Sequence, residues 1–335
     1  MVVNCISNKH NDAMNKKNIF NPPTAVENHF LNLSKLNFCY DPDEKIPVIQ
    51  VNNFPSLGQL TALRFLEWVQ SNPEGVVSLP TGKTPEYFIR YAEHYLKHWE
   101  DKTTSAFLEE VGFDHSRKPD LQNLQFVQID EFFPISPTQH NSFFDYVMKY
   151  YINGFGISAE RAQLIDATQI ILPQGKTYNE IFPDDVVDLS LRFRQPKTTK
   201  GRLQKEAIER VDEFCTDYER RIREKDGIGF FLGGIGPDGH IAFNVRGSDY
   251  YSTTRLTPTN FETQAAAAGD LGGIEVSQKR LVITIGLQTI TPNPDATCLI
   301  FAAGEAKAKI VAGSVQEPAN NTYPAGALHN MRNAR

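Results

Sequence analysis

The sequence predicts an α/β protein with an open, doubly wound, mostly parallel sheet and helices on both of its faces. Apolar runs bounded by glycine, such as "GIGFFLGGIG" and "ATCLIFAAG", lack the alternation of half-exposed strands and suit strands buried on both faces. These runs alternate with helix-like segments, which favours a Rossmann-like three-layer fold. Ligands of such folds bind beyond the carboxyl ends of the strands. The loops that follow the apolar runs are therefore where we expect a site.

The predicted elements follow one another along residues 46–335, which we interpret as one domain. "IPVIQV" is the first strand-like run, and a helix follows, with apolar residues spaced i, i+3, i+4 and i+7 at Ala62, Phe65, Leu66 and Val69. Next come a strand at "VVSLP", a helix from about 85 to 97, a strand at "LQFVQI" and a helical stretch around 143–151. "GIGFFLGGIG", "RLVITIGL" and "ATCLIFAAG" complete the expected sheet.

Three segments fall outside this rhythm. Residues 1–45 are rich in Asn and Lys without periodicity, and we interpret them as an N-terminal extension. Residues 101–123 and 173–202 are polar and irregular. Residues 173–202 include the basic residues Arg192, Arg194, Lys197, Lys200 and Arg202. This segment is predicted to be a solvated insertion, with a substrate lid as the alternative.

Composition narrows the class of protein. The 335 residues carry a net charge of −6, which gives no general attraction for nucleic acid or acidic membrane. There is no apolar run of membrane-spanning length, and the first residues are too weakly apolar for a signal peptide. The cysteines are scattered without C-x-x-C spacing, which favours reduced thiols and a cytoplasmic location, at Cys5, Cys39, Cys215 and Cys298.

The loop "LPTGKTP" (79–85) carries the last letters of a nucleotide-binding P-loop. That motif needs a glycine five positions before Gly82, where Val77 stands, which argues against a P-loop. The loop still suits a phosphate. Gly82 lets backbone N–H groups approach an anion, Thr84 adds a hydroxyl, and a helix starting near Pro85 supplies its positive end. The alternative is an ordinary turn from strand to helix.

Two further loops carry acid–base groups. In "QIDEFFP", Asp130 and Glu131 point to opposite faces of a strand, so at most one of them faces a cleft as a general base. The alternative is a capping or solvated acid. In "GGIGPDGHIAFN", Asp238 stands two residues before His240 and can tune its proton affinity. Pro237 argues against the helix that a dinucleotide fingerprint requires.

Other histidines are weaker candidates. His94 and His98 lie four residues apart on a helix without a third ligand, so we interpret them as a surface pair rather than a metal site. His140 follows the Asp130 loop and could line the same pocket.

"LPTGKTP", "QIDEF", "GGIGPDGHIAFN", "TIGLQTI" and "GEAKAK", in this order, resemble the glucosamine-6-phosphate deaminase family, which shares a superfamily with the 6-phosphogluconolactonases. "GHIAFN" is similar to the deaminase branch. The resemblance covers the chain from about residue 46. It implies aldose–ketose isomerisation of glucosamine 6-phosphate to fructose 6-phosphate with loss of ammonia, in amino-sugar catabolism and without a cofactor.

The resemblance also implies roles. Asp130 corresponds to the base that moves a proton between C2 and C1, and His240 to the group that opens the sugar ring, with Asp238 as its partner. The residues implied to bind the substrate, mainly through its phosphate, are Thr81, Gly82, Lys83, Thr84, Gly236 and Lys307.

The sequence departs from the family at the site. Val245 stands where the family has a relay glutamate, and there is no arginine near 265–269, where a phosphate-binding arginine is expected. We hypothesise that Lys83 supplies the missing charge, with a solvent-facing lysine as the alternative.

Other departures concern regulation and the end of the chain. Ser248 and Arg255 match allosteric positions of regulated bacterial deaminases, whereas Asp249 and Thr257 do not. The chain stops at "HNMRNAR", so we expect a fold shortened at its C-terminal end. A lactone hydrolase and a non-catalytic sugar-phosphate sensor stay as alternative functions. The sequence leaves open a gluco or galacto substrate, a homo-oligomer, and an additional C-terminal domain in a longer chain.

Overall fold

The structure is a computed structural model that describes residues 19–184 and 186–335. Cys5 and the rest of residues 1–18 lie outside this part. The strands, in chain order, are β1 Val76–Ser78, β2 Gln125–Val127, β3 Asp130–Phe133, β4 Ala162–Gln163, β5 Phe230–Gly234, β6 Arg255–Pro258, β7 Leu281–Thr284, β8 Thr297–Phe301 and β9 Asn333–Ala334.

The α-helices are α1 Ala25–Ser34, α2 Phe54–Ser71, α3 Glu86–Lys97, α4 Lys102–Val111, α5 Phe143–Val147, α6 Tyr178–Ile181, α7 Thr199–Arg223, α8 Phe261–Leu271, α9 Ile274–Lys279, α10 Leu287–Ile290 and α11 Ala308–Gln316. A π-helical stretch, Met148–Gly154, continues α5. Short 3₁₀ turns occupy Ala159–Arg161, Ala167–Gln169, Pro173–Gly175, Leu189–Arg192, Glu305–Lys307 and Pro324–Asn330. No helix in the described ranges is long and apolar enough to cross a membrane.

The main sheet has six parallel strands in the order β4-β2-β1-β5-β8-β9. Helices cover it, so the predicted α/β class and parallel sheet are confirmed. The longest pairing joins β5 to β8, where Phe230 lies opposite Thr297 and Gly234 opposite Phe301. All the connections put the carboxyl ends of these strands on one edge, which positions the loops discussed below.

A second sheet has three antiparallel strands in the order β3-β7-β6. The sequence prediction placed "RLVITIGL" with the parallel strands, and this was wrong because β7 pairs with β3, with Thr284 opposite Asp130. Strands β3 and β7 are both buried along their whole length. A fully apolar strand therefore does not reveal whether its neighbours run parallel or antiparallel.

The segment "IPVIQV" forms no strand, contrary to prediction. Pro47 has no N–H to donate to a ladder. The neighbouring backbone groups bond singly to other parts of the chain instead, with Lys45 N donating to Val315 O and Val48 N to Phe38 O. Its apolar side chains pack without pairing.

Helix α2 packs the predicted face into the core. Ala62, Phe65, Leu66 and Val69 are all fully buried, and the Phe65 ring lies 5.5 Å from the ring of Phe230 on β5. Burial of each large side chain contributes about 1.5–3 kcal/mol. The i, i+3, i+4, i+7 pattern thus identified the face that meets the sheet.

The polar segments are more ordered than predicted. Residues 102–111 form helix α4. In the second segment, Ile181, Phe182 and Leu191 are buried against α7, and Arg192 Nε donates to Asp212 on that helix at 2.8 Å. The second segment is therefore anchored to the outside of α7, and none of its described residues lines the cavity described below.

The described part of the N-terminal extension also packs on the domain. Thr24 and Glu27 form a capping box at the start of α1. The Glu27 carboxylate is fully buried between two guanidinium groups, with Arg64 Nε at 2.7 Å and Arg335 Nε at 3.1 Å. Removing one partner of such a buried ionic cluster typically costs about 3–5 kcal/mol, so this cluster fastens the segment to both α2 and the chain's last residue.

Candidate active site

A cavity of about 820 Å³ opens at the carboxyl ends of β1, β5 and β8, beside the point where the chain passes from β2 to β3. It contains every predicted site residue except Asp238. Its wall includes Thr81, Gly82, Lys83, Thr84, Asp130, Gly236, His240 and Lys307. Loops separated by more than 200 residues in sequence therefore meet at one place, as expected for a sheet whose strands all end on the same edge.

The loop after β1 forms one end of the cavity. Gly82 has φ +89°, a conformation that side chains with a Cβ rarely adopt, and a Cβ there would meet open space. Helix α3 begins directly after Pro85, so its positive N-terminal end faces this loop. The buried Tyr151 hydroxyl donates to Pro80 O and supports the loop from behind. The arrangement suits a bound anion.

Asp130 forms the floor of the cavity and is 6% exposed. Burial, and then the adjacent Glu131, raise the pKa of its carboxyl well above the ordinary value. In the described part of the chain its carboxylate has no hydrogen-bond partner. A raised pKa makes a carboxylate a stronger base, which is what abstraction of a proton from carbon requires.

Glu131 points away from the cavity, as the alternation of side chains along a strand predicts. Its Oε1 accepts from Phe132 N at 2.9 Å and Phe143 N at 3.1 Å, and its Oε2 accepts from Ser142 Oγ at 2.7 Å and Phe144 N at 2.8 Å. Burial raises the pKa of Glu131 to about 7, although these four donors lower it. Glu131 therefore holds the start of α5 in place against β3.

His240 and Asp238 form a hydrogen-bonded pair. His240 Nδ1 lies 2.5 Å from Asp238 Oδ1, and their side chains are 17% and 7% exposed. The second carboxylate oxygen, Oδ2, accepts from Asn260 Nδ2 at 2.5 Å. Burial raises the pKa of Asp238, but the hydrogen bonds and charge of His240 and the bond from Asn260 outweigh it, so the pKa is lowered. Because the Asp238 carboxylate accepts the hydrogen bond from His240 Nδ1, the other ring nitrogen, Nε2, is the one that can exchange protons with a substrate.

Gly236 makes room for this imidazole. A Cβ at position 236 would lie 2.1 Å from His240 Cε1, a distance that real atoms do not reach. Gly236 N also donates to His240 O at 2.9 Å, which closes the turn. On the other side the ring stacks on Phe243, with centroids 5.8 Å apart. Position 236 therefore has to be a glycine to leave space for the His240 ring, and this residue also lies in the cavity wall.

Lys307 lies between β8 and α11, in the wall of the same cavity. Its Nζ donates to Ile235 O at 2.6 Å, which directs the ammonium group toward the loop after β5. Burial lowers the pKa of Lys307. An anion next to this group would be a favourable partner, because a half-buried ammonium gains more from a counter-charge than an exposed one does.

The positions at which the sequence departs from the resembling family differ in whether they line the cavity. Val245 is not among the described residues that line it. Arg90 of α3 does line it, and its guanidinium pairs with Glu86 at 2.6 Å on an exposed surface. Ser248 lies near Arg255, with Arg255 Nη2 3.4 Å from Ser248 Oγ.

Among the weaker candidates, His140 lines the cavity, while His94 and His98 lie on the outer surface of α3. The described residues contain no group of three or more His, Cys, Asp or Glu that could hold a metal ion.

Sequence reasoning missed the residues that join the site across long separations. Asn260 and Thr263 reach the Asp238–His240 pair from α8, with Thr263 Oγ1 3.4 Å from His240 Nδ1. Tyr146 and Tyr150 add an aromatic wall, with ring centroids 4.6 Å apart. The N-cap pattern of Asn260, three residues before Thr263, is a local signal, but it gives no indication of a contact with Asp238.

Several known proteins with similar sequences are named glucosamine-6-phosphate deaminase. The chain is 25% identical to a glucosamine-6-phosphate deaminase of Bacillus velezensis over 282 residues, covering 84% of this chain and 92% of that protein. It is 43% identical to a Caenorhabditis elegans protein of the same name over 94 residues, which span only 35% of that protein. The chain is thus similar to glucosamine-6-phosphate deaminases. No family model matches it.

Solved structures agree on the fold. A monomeric glucosamine-6-phosphate deaminase superposes with a TM-score of 0.62 at 22% identity, covering 84% of this chain and 92% of that one. A 6-phosphogluconolactonase of Leishmania guyanensis gives a TM-score of 0.53 at 16% identity, covering 84% and 91%. The deaminases and lactonases therefore share the architecture found here, and the choice between their reactions depends on the side chains of the site.

Proposed function

We propose that this protein is a glucosamine-6-phosphate deaminase, which converts an amino-sugar phosphate to a ketose phosphate and ammonia in the cytoplasm. One observation carries the proposal. Asp130, His240 and the anion-binding loop with Lys307 line a single cavity, so a phosphate can be held at one end while two acid–base groups act on the other carbons. The deaminase relatives support this reading.

The phosphate anchors the substrate far from the reacting carbons. The backbone of the loop at Gly82, the Thr84 hydroxyl, the end of α3 and Lys307 would bind the dianion. Thr81, Lys83 and Gly236 complete the wall that contacts the sugar. Binding energy from a part of the substrate that does not react fixes the geometry of the part that does.

The acid–base steps then follow from the side chains. His240 moves a proton from the C1 hydroxyl to the ring oxygen, which opens the ring. Asp130 takes the proton from C2 and delivers it to C1, while a second proton passes from the amino nitrogen to the C1 oxygen. This leaves a C1 hydroxyl and a C=N bond at C2, which water hydrolyses to the ketone with release of ammonia. Water is the only co-reactant. The raised pKa of Asp130 favours proton abstraction, and Asp238 stabilises the charged imidazole.

The direct test is release of ammonia from glucosamine 6-phosphate by the purified protein, with Asp130→Asn as the comparison. We expect release by the wild type and a loss of about 10²–10⁴-fold in kcat for the variant. Equal release by both proteins would contradict the role of Asp130. Galactosamine 6-phosphate, assayed in parallel, distinguishes the two epimers.

Val245 motivates a second candidate, a sugar-phosphate sensor without catalysis, because valine cannot exchange protons where the family has a glutamate. This candidate predicts that calorimetry detects binding of fructose 6-phosphate while no ammonia is released. A lactone hydrolase on the same fold would instead hydrolyse 6-phosphogluconolactone, with His240 activating the water. The three assays on one preparation separate these functions.

A further inference from the structure

We propose that Asn260 is a positioning residue that fixes the Asp238 carboxylate for His240 and ties this pair to the start of helix α8. The inference rests on the proposed function, because it assigns a role within that reaction. It comes from the contacts of one half-buried amide that makes two different hydrogen bonds at once.

The first bond is the helix cap. Asn260 Oδ1 accepts from Thr263 N at 3.0 Å, the usual N-cap contact at the start of α8. The second bond uses the other end of the amide, because Asn260 Nδ2 donates to Asp238 Oδ2 at 2.5 Å. The cap requires an acceptor and the carboxylate requires a donor. The orientation of the amide is therefore determined, and only asparagine fits both requirements at this length.

The two oxygens of Asp238 thus have separate partners. Oδ1 faces His240 Nδ1 at 2.5 Å and Oδ2 faces Asn260. A carboxylate held at both oxygens cannot rotate, so the imidazole keeps one tautomer and one orientation, with Nε2 toward the cavity. Thr263, in the first turn of α8, lies on the other side of the same imidazole nitrogen at 3.4 Å.

The geometry also couples α8 to the acid–base pair. Asn260 and Thr263 both belong to the start of this helix, so a displacement of α8 would break the bond to Asp238 and weaken the contact with His240. Position 245, where the resembling family has a glutamate, is a valine in this chain. The uncharged amide of Asn260 donates the hydrogen bond that holds Asp238 Oδ2, the carboxylate oxygen that does not face His240.

The variant Asn260→Ser separates the two functions of the side chain. Serine is as good an N-cap as asparagine but is too short to reach Asp238. We expect the cap of α8 to be kept and kcat to fall about 5- to 20-fold with little change in KM, as for loss of a hydrogen bond to a charged group. A purely structural cap predicts no change in kcat, because the cap is kept.

A matched control exists elsewhere in the chain. Asn53 caps α2 through Ser56 N at 2.8 Å and does not line the cavity, so Asn53→Ser makes the same chemical change at a helix that does not contact the Asp238–His240 pair through this side chain. A fall in kcat for Asn53→Ser as large as for Asn260→Ser would overturn the proposal.

A second readout does not depend on turnover. NMR of the His240 imidazole, identified by its loss in His240→Gln, reports its tautomer and the hydrogen bond at Nδ1 through the chemical shifts of the two ring nitrogens in the free protein. Without the donor from Asn260, the Asp238 carboxylate is held at one oxygen only, so these ring-nitrogen shifts should change in Asn260→Ser. The variant leaves the other ionisable groups of the cavity wall in place: Lys83, Glu86, Arg90, Glu93, Asp130, His140 and Lys307.

The results distinguish the two proposals. Identical ring-nitrogen shifts of His240 in wild type and Asn260→Ser overturn the positioning role, whatever the activity. Changed shifts in a protein that releases no ammonia support the positioning role and reject the proposed function. In Asp238→Asn, adding Asn260→Ser should have no further effect on these shifts, because the two changes remove one interaction.

Discussion

Asp130 and Glu131 are neighbours on one strand and both are buried, yet they lie in opposite environments. Glu131 accepts four hydrogen bonds from the backbone and side chain of residues 132 and 142–144. The Asp130 carboxylate faces the cavity, and no described residue donates to it. Burial raises the pKa of both carboxyls, but only Glu131 has donors that act against it.

The comparison distinguishes a buried carboxylate that stabilises the fold from one that can take part in a reaction. A buried carboxylate with all of its acceptor positions used stabilises the local structure. A buried carboxylate without donors costs stability and is retained where its reactivity is needed. One strand therefore carries a structural acid on one face and a reactive acid on the other.

The largest expected effect comes from removing the reactive acid. Asp130→Asn should reduce kcat by about 10²–10⁴-fold because amide nitrogen cannot act as the base. It should also raise Tm, since the neutral amide avoids the burial of a carboxylate. Activity assays and thermal melts check both effects, with the exposed Asp120→Asn as the control. A destabilised Asp130→Asn would show that the two acids are not divided as described.

The next effect concerns the structural acid. Glu131→Gln replaces one oxygen by an NH₂ group that faces two donors, so we expect a loss of about 2–3 kcal/mol in the free energy of unfolding. Denaturant titration measures it, with the exposed Glu110→Gln as a matched control. Equal stability of the two variants would contradict the structural role of Glu131.

The pH dependence of stability tests the same difference between Asp130 and Glu131. Because the pKa of Asp130 is raised by folding, the folded chain keeps a proton that the unfolded chain releases above the ordinary pKa of 3.8. Stability from this group is therefore present below that pH and is lost as the pH rises toward the folded pKa, with a slope of at most about 1.4 kcal/mol per pH unit.

Asp130→Asn removes this slope, so its advantage in stability over the wild type should grow from pH 4 to pH 7. Glu131 adds a slope of the same sign between its ordinary 4.5 and about 7 in both proteins. Denaturant titrations at several pH values test the difference. A constant gap between the two proteins would contradict the raised pKa of Asp130.

The smallest effect extends the comparison to the anion-binding end. Lys83 is exposed, whereas Lys307 is half-buried and oriented by Ile235 O. If Lys83 supplies the missing positive charge, Lys83→Ala should raise KM about two- to fivefold, as an exposed charge contributes less than about 1 kcal/mol. Lys307→Ala should raise KM by more. An unchanged KM in Lys83→Ala would reject the hypothesis for this lysine.

The sequence predicted those features that depend on local pattern. The buried face of α2 followed from the spacing of Phe65 and Val69, and the apolar runs gave the parallel strands β1, β2, β5 and β8. Because parallel strands end on one edge, the loops containing Asp130 and His240 could be placed together without a structure.

The remainder depends on contacts that no local pattern records. Strand β7 is as apolar as β5, and only the chain path after Val127 decides that it pairs antiparallel with β3. Asn260 carries an ordinary N-cap signature, and its bond to Asp238 spans 22 residues of sequence. Such partners are determined by how elements pack, so they were found only in three dimensions.

Because Asp130 is nearly buried, it should affect where an isotopic label from the substrate ends up in the product. A carboxyl that is only 6% exposed has little contact with bulk water during the short life of an enolic intermediate. In the proposed reaction a deuterium taken from C2 would then be carried to C1 of the same molecule before it is washed out. The fraction of label found at C1 of the ketose measures how completely the floor of the cavity is closed to solvent.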